Sequence, residues 1–245
     1  MSYLNTFERY EIKYLLANPE RQALCELMEG RMKIDQYGRT TIRNLYYDTD
    51  DMRLVRHSLE KPVYKEKLRV RSYSRITSED DVYVELKKKY GSVVYKRRIA
   101  LPEHEATDWL VGGKARPADS QIAREIDAFK TFYTGIRPVV YLSYEREAYF
   151  PTDGSDIRIT LDSNILARDY DLTLLKGAYG ENVIGRDVTV LEVKVPGAIP
   201  LWLVRFLSGN DIRKTSFSKY GMYYTKRSMN RQVALTNNKG GIRYA

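Results

Sequence analysis

The feature that most constrains how this chain folds is a strict alternation of charged and apolar residues. In residues 66–73, EKLRVRSY, the bases Lys67, Arg69 and Arg71 stand at every second position, and Lys65 precedes them by the same step. Successive side chains of a β-strand point to opposite faces, so these bases share one face. Like charges crowded together repel one another. We therefore expect an anion to bind among them.

The same alternation recurs along the chain in candidate strands with one apolar face and one charged face. The stretches read as strands are RYEIKYLL, TIRNLYYDT, KEKLRVRSY, DVYVELKKKY, SVVYKRRIAL, RPVVYLSYEREAYF, DIRITLDSNI and VTVLEVKV. One interpretation is an antiparallel sheet whose charged face is solvated. The other is a sheet closed into a barrel, with the charges inside and helices outside.

Two features favour the barrel. Arginine, whose planar guanidinium suits phosphate, is more frequent on these faces than a solvated surface requires. The acidic residues Glu11, Glu85 and Glu192 occur singly among the bases, which suits a polyanion site assisted by a metal cation better than a plain anion-binding patch. The expected fold is therefore α+β, an antiparallel β-barrel with a charged lumen and helices packed outside.

Helical spacing appears between and after the strands. Pro102 opens a candidate helix in LPEHEATDWLV, and Ser120 precedes a second one in SQIAREIDAFKTFYTG. Residues 48–51 are expected to cap a short helix. Because no internal repeat and no Pro/Gly/Ser-rich linker divides the chain, we expect one domain over residues 1–227. A loose C-terminal tail is expected over residues 228–245.

Charge and composition limit the function classes. The chain has 245 residues and a net charge of +9, which suits nucleic acid, anionic lipid or phosphorylated small molecules as partners. Cys25 is the single cysteine, so no internal disulfide can form. The start of the sequence lacks the long apolar stretch of a signal peptide, and no apolar run approaches the roughly 20 residues that span a bilayer, so we expect neither a leader nor a membrane span. The expectation is a soluble cytoplasmic protein without a transmembrane segment.

Several nucleotide and metal motifs are missing from the sequence. It contains neither a P-loop, G-x-x-x-x-G-K-[ST], nor a G-x-G-x-x-G dinucleotide fingerprint. Two histidines and one cysteine do not support a zinc site, and no local pattern supports a Ser-His-Asp triad. A nucleic-acid binder would expose bases and aromatic residues on an outer groove, whereas these bases alternate inward. Phosphate chemistry must therefore use basic clamps and a metal held by carboxylates.

Taken in order, the strand motifs resemble one known family. They are RYEIKY, NLYYDT, KLRVRSY, VELKKKYGSVVYKRR, PVVYLSYERE, IRITLD, VLEVKV followed by PLWL, and SFSKYG, within residues 7–224. The chain resembles the VTC domain, the polyphosphate polymerase module of the vacuolar transporter chaperone complex, in the CYTH-like superfamily of triphosphate tunnel metalloenzymes. The CYTH pattern begins ExExK, and Arg9 replaces its first glutamate here. This departure disfavours a CYTH-type triphosphatase or a class IV cyclase and removes one metal ligand.

The resemblance implies a basic tunnel that binds ATP and a metal ion. It assigns catalytic roles to Lys13, Arg69, Arg71, Lys87, Arg146, Arg158 and Lys219, and substrate binding to Lys67, Lys96, Arg98 and Lys194. Which bases of YKRR face inward depends on the strand register. Glu192 is the expected principal ligand of Mn²⁺ or Mg²⁺. Glu85 and Glu11 are weaker candidates, because either could instead orient a neighbouring lysine.

The activity implied by the resemblance is polyphosphate synthesis, in which the γ-phosphate of ATP moves to a growing polyphosphate chain and ADP leaves. Two alternatives use the same tunnel: a metal-dependent hydrolase of triphosphate or nucleoside triphosphates, and a non-catalytic polyphosphate-binding module. ATP and polyphosphate are the expected partners, and nucleic acid is not. The resembling eukaryotic complexes join the domain to a phosphate-sensing domain and to membrane spans. Two alternatives therefore stay open: the protein works alone in the cytosol, or a separate membrane partner accepts the polyphosphate chain.

Overall fold

The structure, a computed structural model, describes residues 10–91, 93–117 and 119–239, and this part of the chain contains ten strands and six helices. The strands are β1 (Tyr10–Ala17), β2 (Met32–Ile34), β3 (Thr40–Asp48), β4 (Tyr64–Ser72), β5 (Asp81–Tyr90), β6 (Val93–Pro102), β7 (Arg137–Pro151), β8 (Arg158–Arg168), β9 (Glu181–Asn182) and β10 (Val188–Val195). The helices are α1 (Asn18–Met28), α2 (Arg53–Leu59), α3 (Glu103–Leu110), α4 (Gln121–Phe132), α5 (Leu201–Gly209) and α6 (Lys219–Lys239). Arg9 lies outside the described residues.

The ten strands form one antiparallel sheet that curls around a charged interior. Its main path runs β1-β10-β8-β7-β3-β4-β5-β6, with β2 beside β7 and β9 beside β8. Side chains reach across the interior, since Glu11 Oε2 of β1 lies 4.0 Å from Lys87 Nζ of β5. The predicted α+β fold, with antiparallel strands around a charged lumen and helices outside, is confirmed.

The barrel is only approximately closed. Among the described strands, no ladder of hydrogen bonds joins the edge strands β1 and β6. The free edge of β1 is used instead by the segment that precedes α6, where the Thr215 amide donates to the Lys13 carbonyl at 2.8 Å. The irregular segment lies along the edge where a closing strand would pair, so the barrel is not closed by hydrogen bonds at this seam.

The apolar strand faces pack against helices, which leaves the charged faces to line the interior. Val84 of β5 lies in a buried cluster with Trp109 of α3 and Ile126 of α4. Leu191 of β10 lies in a second cluster with Leu24 of α1. Burying these faces outside the sheet supplies the hydrophobic stabilisation that a charged interior cannot provide.

Helix α2 begins where the sequence predicts. The Asp48 carboxylate accepts the backbone N–H groups of Leu54 at 2.8 Å and Val55 at 3.0 Å. These bonds satisfy donors that would otherwise lack partners in the first helical turn. The aspartate therefore anchors the start of α2 to the end of β3.

The C-terminal segment differs from its prediction. Helix α6 continues past Ser228 to Lys239, where the sequence predicts a loose tail. No glycine or proline interrupts residues 222–239, and weak apolar periodicity alone does not stop a helix that packing has already started. Residues 240–245 lie outside the described residues.

Candidate functional site

The charged strand faces converge on one space, which we call the lumen. Lys67 of β4, Lys87 of β5 and Lys96 of β6 stand side by side in the strand register. Lys13 of β1 and Glu192 of β10 are paired on the opposite wall. The register thus brings bases together that lie far apart in sequence.

One group of lumen residues, the Glu85 cluster, surrounds a single buried carboxylate with cations. Glu85 accepts from Arg69 Nε at 2.7 Å and from Arg98 Nε at 2.8 Å, and Lys96 Nζ lies 3.0 Å away. Arg71 Nη1 is 3.9 Å away. Burial opposes ionisation of Glu85, but Arg69, Arg71 and Lys96 outweigh it and hold its pKa well below the usual range. Glu85 is therefore an anion that orients four basic side chains.

The strand register also decides which bases of YKRR face inward. Lys96 and Arg98 both contact Glu85, whereas Arg97 Nε lies 3.5 Å from Glu125 on the outer side of the sheet. Arg97 is thus an outward-facing neighbour with similar chemistry.

A second group, the Glu11–Glu192 cluster, contains two neighbouring carboxylates joined by lysines. Lys13 Nζ lies 3.0 Å from Glu11 Oε1 and 3.6 Å from Glu192 Oε2, and Lys194 Nζ lies 2.7 Å from Glu192 Oε1. Burial disfavours the charge of Glu192, yet Lys194, Lys13 and Arg146 keep its pKa well below the usual range. Both carboxylates are therefore ionised at neutral pH, and lysines rather than arginine forks hold them.

A third group forms around Asp162, which the sequence motifs placed on the charged face without giving it a role. Asp162 is fully buried and binds Arg146 through both oxygens, at 2.6 and 2.7 Å, and Lys219 Nζ at 2.5 Å. Burial works against the charge, but Lys219 and Arg146 lower the pKa of Asp162. This carboxylate fixes two predicted site residues, one from β7 and one from α6.

Elsewhere the lumen has more positive than negative charge. Burial and the nearby Lys87 and Lys13 lower the pKa of Lys67 to about 8, although Tyr46 partly opposes this. Burial is also the main cause of the lowered pKa values of Lys87 and Lys96. Lys96 lies 3.0 Å from Glu85 and Lys87 lies 4.0 Å from Glu11, but both carboxylates also pair with other bases. A bound polyanion would supply further counter-charge.

Tyr46 is a lumen residue that sequence reasoning missed. Its hydroxyl accepts from Arg69 Nη1 at 3.2 Å. Burial alone would raise its pKa, but Arg69, Lys67 and Arg71 lower it to about 8. Its position in NLYYDT on the alternating strand β3 is the one signal that could have found it.

The start of α6 fills one end of the lumen. Lys67 Nζ donates to Ser218 Oγ at 3.2 Å, and Lys13 Nζ donates to the Phe217 carbonyl at 3.4 Å. Tyr220 stacks on Tyr46 with ring centroids 4.9 Å apart. Phe217 and Tyr220 belong to a buried apolar cluster with residues of β3, β7, β8 and β10. In the described structure this end is therefore apolar and packed.

Arg158 stands apart from the three carboxylate groups, toward the other end of the lumen. It is paired in register with Lys194, and its guanidinium lies 4.9 Å from the centroid of the Phe150 ring. Its Nε is buried without a hydrogen-bond partner in the described part of the chain.

The donor set fits a divalent metal at one of the predicted positions. Mg²⁺ commonly binds through one or two carboxylates together with water and substrate phosphates, and Glu11 and Glu192 form such a pair. The described residues contain no group of three or more His, Cys, Asp or Glu side chains that could hold a metal alone. Glu85 fits poorly because Arg69, Arg98 and Lys96 already bind its two oxygens, which favours the orienting role that the sequence left open.

Comparison with known proteins gives one family match. The family model of the VTC domain matches residues 8–226. The chain is 28% identical over 145 residues to subunit 4 of the vacuolar transporter chaperone complex from Schizosaccharomyces pombe. That alignment covers 51% of this chain and 20% of the relative, so the chain spans only a small part of the relative's length.

Two solved structures share the fold at low identity. A putative adenylate cyclase from Bacillus halodurans has a TM-score of 0.53 and 16% identity, covering 86% of this chain and 95% of that one. A putative adenylyl cyclase from Hippeastrum is described as having a dominant triphosphatase activity. It has a TM-score of 0.51 and 15% identity, and the match covers 89% of this chain and 96% of that one. In the described part of our chain, no helix is long and apolar enough to cross a membrane.

Proposed function

Since this chain belongs to the VTC domain family, we propose that it is a polyphosphate polymerase. It would transfer the γ-phosphate of ATP to a polyphosphate chain in the lumen and release ADP. The observation that carries this proposal is the row formed by Lys67, Lys87 and Lys96, which the strand register places side by side on the lumen face. A triphosphate or polyphosphate is the ligand class whose charge density best matches such a surface.

The arginines of the Glu85 cluster act as phosphate clamps in this proposal. Glu85 holds Arg69 and Arg98 by direct hydrogen bonds, while Asn44 accepts from Arg71 Nε at 2.8 Å. Orientation before binding lowers the entropic cost of forming bidentate contacts with phosphate oxygens. Lys67 and Lys87 act as point charges beside these forks.

Charge neutralisation is the main catalytic contribution. The donor and the acceptor in this reaction are both anionic, so their mutual repulsion opposes the approach of the attacking oxygen. Phosphoryl transfer needs little covalent help from the protein. Positioning and electrostatic stabilisation account for most of the reduction of the activation barrier. No side chain needs to act as a general base on a phosphate terminus that is already ionised.

Glu192 and Glu11 are the residues that would hold the divalent metal. When bound, the metal supplies additional neutralisation of phosphate charge. Lys13 and Lys194 currently compensate these two carboxylates, and in the loaded enzyme they become free to contact phosphate. Mn²⁺ and Mg²⁺ both suit such oxygen ligands.

A hydrolase is the second candidate, and one structural observation favours it. The cluster around Phe217 and Tyr220 fills one end of the lumen, whereas a growing chain needs a way out. The related protein from Hippeastrum is described as a triphosphatase. In a hydrolase, water takes the place of the phosphate acceptor and a single open mouth is sufficient.

Product analysis tests the proposal. The purified chain is incubated with ATP and Mn²⁺ or Mg²⁺, and the products are separated by electrophoresis and assayed for ADP and free phosphate. Long phosphate chains with ADP support the polymerase, if Arg71→Ala abolishes them and the outward-facing control Arg97→Ala does not. Free phosphate without chains would overturn the polymerase and support the hydrolase. Binding of polyphosphate without either product would overturn both and support a binding module.

A further inference from the structure

A cavity of about 580 Å³ lies at the end of the lumen opposite the start of α6, lined by residues 33–37, Phe150 and Arg158. We call it the rim cavity. Volumes of this size are typical of small-molecule sites. We propose that the rim cavity binds the nucleobase and ribose of the nucleoside triphosphate whose phosphates lie in the lumen. This inference rests on the proposed function, because it assumes that a triphosphate enters the lumen.

The strand register makes the rim cavity continuous with the lumen wall. Lys33 of β2 is paired with Phe150 of β7, and Phe150 lies beside Arg158 of β8. Arg158 is paired with Lys194, which is paired with Glu11. Residues paired in register share a face of the sheet, so one row of side chains leads from the cavity to the Glu11–Glu192 cluster.

The chemistry of the rim cavity differs from that of the lumen. Its lining includes two exposed aromatic side chains, Tyr37, which is 70% exposed, and Phe150, which is 37% exposed. Exposed apolar groups rimmed by polar residues mark ligand or partner sites. The Arg158 guanidinium near the Phe150 ring adds a second flat surface suited to stacking. A ligand with both an anionic part and an aromatic part matches this neighbourhood.

Arg158 connects the two environments. Its Nε is buried and has no hydrogen-bond partner in the described structure. A buried donor without a partner is destabilising, and an acceptor on a bound ligand relieves that penalty. The ribose hydroxyls and the α-phosphate of a nucleoside triphosphate are acceptors. They would lie between the base and the terminal phosphates, next to this side chain.

Local contacts fix the turn that presents Tyr37. The Asp35 carboxylate accepts the Tyr37 backbone N–H at 3.0 Å, and the Gly38 N–H donates to the Asp35 carbonyl at 3.1 Å. Arg39 then ties the turn to the sheet by donating to Ser163 Oγ at 3.2 Å and pairing with Glu145. The tyrosine is therefore exposed on an ordered turn, which lowers the entropic cost of stacking on it.

The larger groove between α2 and α4, about 730 Å³, is a weaker candidate for the same ligand. Arg53 stacks there on Phe132 and Tyr133, but Glu60, Glu66 and Glu125 lie among its bases. These carboxylates already pair with a base of the groove, since Lys88 lies 3.9 Å from both Glu66 and Glu125, and this leaves less positive charge for a phosphate-bearing molecule.

Paired binding measurements test the rim cavity. Affinities for ATP and for inorganic tripolyphosphate, which has no base, are measured by calorimetry with the full chain. We expect Tyr37→Ala to weaken ATP about tenfold, the effect of losing one base–aromatic stack, and to leave tripolyphosphate within about twofold. Phe150→Leu should act in the same direction, and the exposed Tyr170→Ala serves as the control. Thermal unfolding of each variant checks that the fold is intact.

The outcomes separate the two proposals. The base subsite is overturned if Tyr37→Ala and Phe150→Leu reduce the affinities for ATP and for tripolyphosphate equally. It is also overturned if they reduce neither affinity. If wild-type protein binds tripolyphosphate and Arg71→Ala abolishes that binding, an anion-binding lumen is retained even when the base subsite fails. If wild-type protein binds neither ligand, the proposed function itself fails and the base subsite fails with it.

Discussion

The Glu85 cluster and the Glu11–Glu192 cluster are two walls of one lumen, built from the same residue types but arranged for different purposes. Glu85 is 1% exposed and is surrounded by three arginines and one lysine. Glu192 is also buried, but its ion-pair partners are lysines, and a second carboxylate shares Lys13 with it. A carboxylate in an arginine network fixes the network. A pair of carboxylates held by flexible point charges can exchange those charges for a metal ion.

The largest expected effect comes from removing the proposed principal metal ligand. Glu192→Gln should lower the rate of ATP consumption by more than about 100-fold and weaken the response to Mn²⁺, because a metal ligand and its charge are lost. Binding of tripolyphosphate without metal should persist or strengthen, since one negative charge leaves the lumen. The measurement is the initial rate of ADP release over a metal titration.

Glu125→Gln is the matched control for that experiment, because Glu125 pairs with Lys88 and Arg97 on the outer side of the sheet. If Glu192→Gln keeps its metal response while Glu85→Gln loses it, the roles assigned to the two walls must be exchanged.

A smaller effect, on stability, is expected when Glu85 is replaced. Glu85→Gln leaves four cations without their shared carboxylate, which should cost about 2 kcal/mol after allowance for the partly exposed Lys96 and Arg98. That corresponds to a fall of roughly 4–8 °C in the unfolding midpoint for a chain of this size. Tripolyphosphate should restore most of the loss by supplying the missing negative charge. Scanning calorimetry with and without tripolyphosphate measures both effects. A midpoint equal to wild type would show that Glu85 does not organise the cluster.

The smallest of these effects is a pH dependence of anion binding. Burial and neighbouring lysines lower the pKa of Lys67 to about 8, and phosphate binds the protonated ammonium. Affinity is therefore fully developed only well below pH 8 and falls as pH rises through and above it, by at most about tenfold per unit. Lys67→Arg keeps its charge and should reduce the slope of the profile between pH 7.5 and about 9.5, when tripolyphosphate affinity is measured across that range.

The contribution of Tyr46 to this pH dependence must be separated from that of Lys67, because the pKa of Tyr46 is also lowered to about 8. Loss of its proton adds negative charge beside Arg69 and weakens anion binding in the same pH range. Tyr46→Phe removes this contribution and leaves the lysine in place. A wild-type affinity that does not change between pH 7.5 and 9.5 would contradict the assigned charge state of both residues.

Sequence reasoning predicted the strands and their charged faces because both are local properties. Side-chain alternation with a period of two follows directly from strand geometry, and it placed Arg69 and Glu85 on faces that the structure shows in contact. Cap chemistry predicted the start of α2 from Asp48 in the same way. The roles of these residues in binding and catalysis remain predictions.

The missed features all involve contacts between distant segments. Asp162 stands on the predicted charged face, but its pairing with Lys219 depends on where the chain returns 57 positions later. Phe217 and Tyr220 fill one end of the lumen, although nothing in SFSKYG shows that this segment packs inside the barrel. Such contacts depend on sheet register and curvature, which neighbouring residues in the sequence do not encode.

The sequence by itself determined that this chain builds an antiparallel sheet with a basic face, because alternation and charge are written into each strand separately. Only the tertiary structure decided which carboxylate is surrounded by arginines, which two carboxylates share a lysine and which end of the lumen is filled. The physical reason is that electrostatic energy depends on distances across the lumen. Those distances are set by how the strands pair and how the sheet curls, which brings together residues that lie far apart in the sequence.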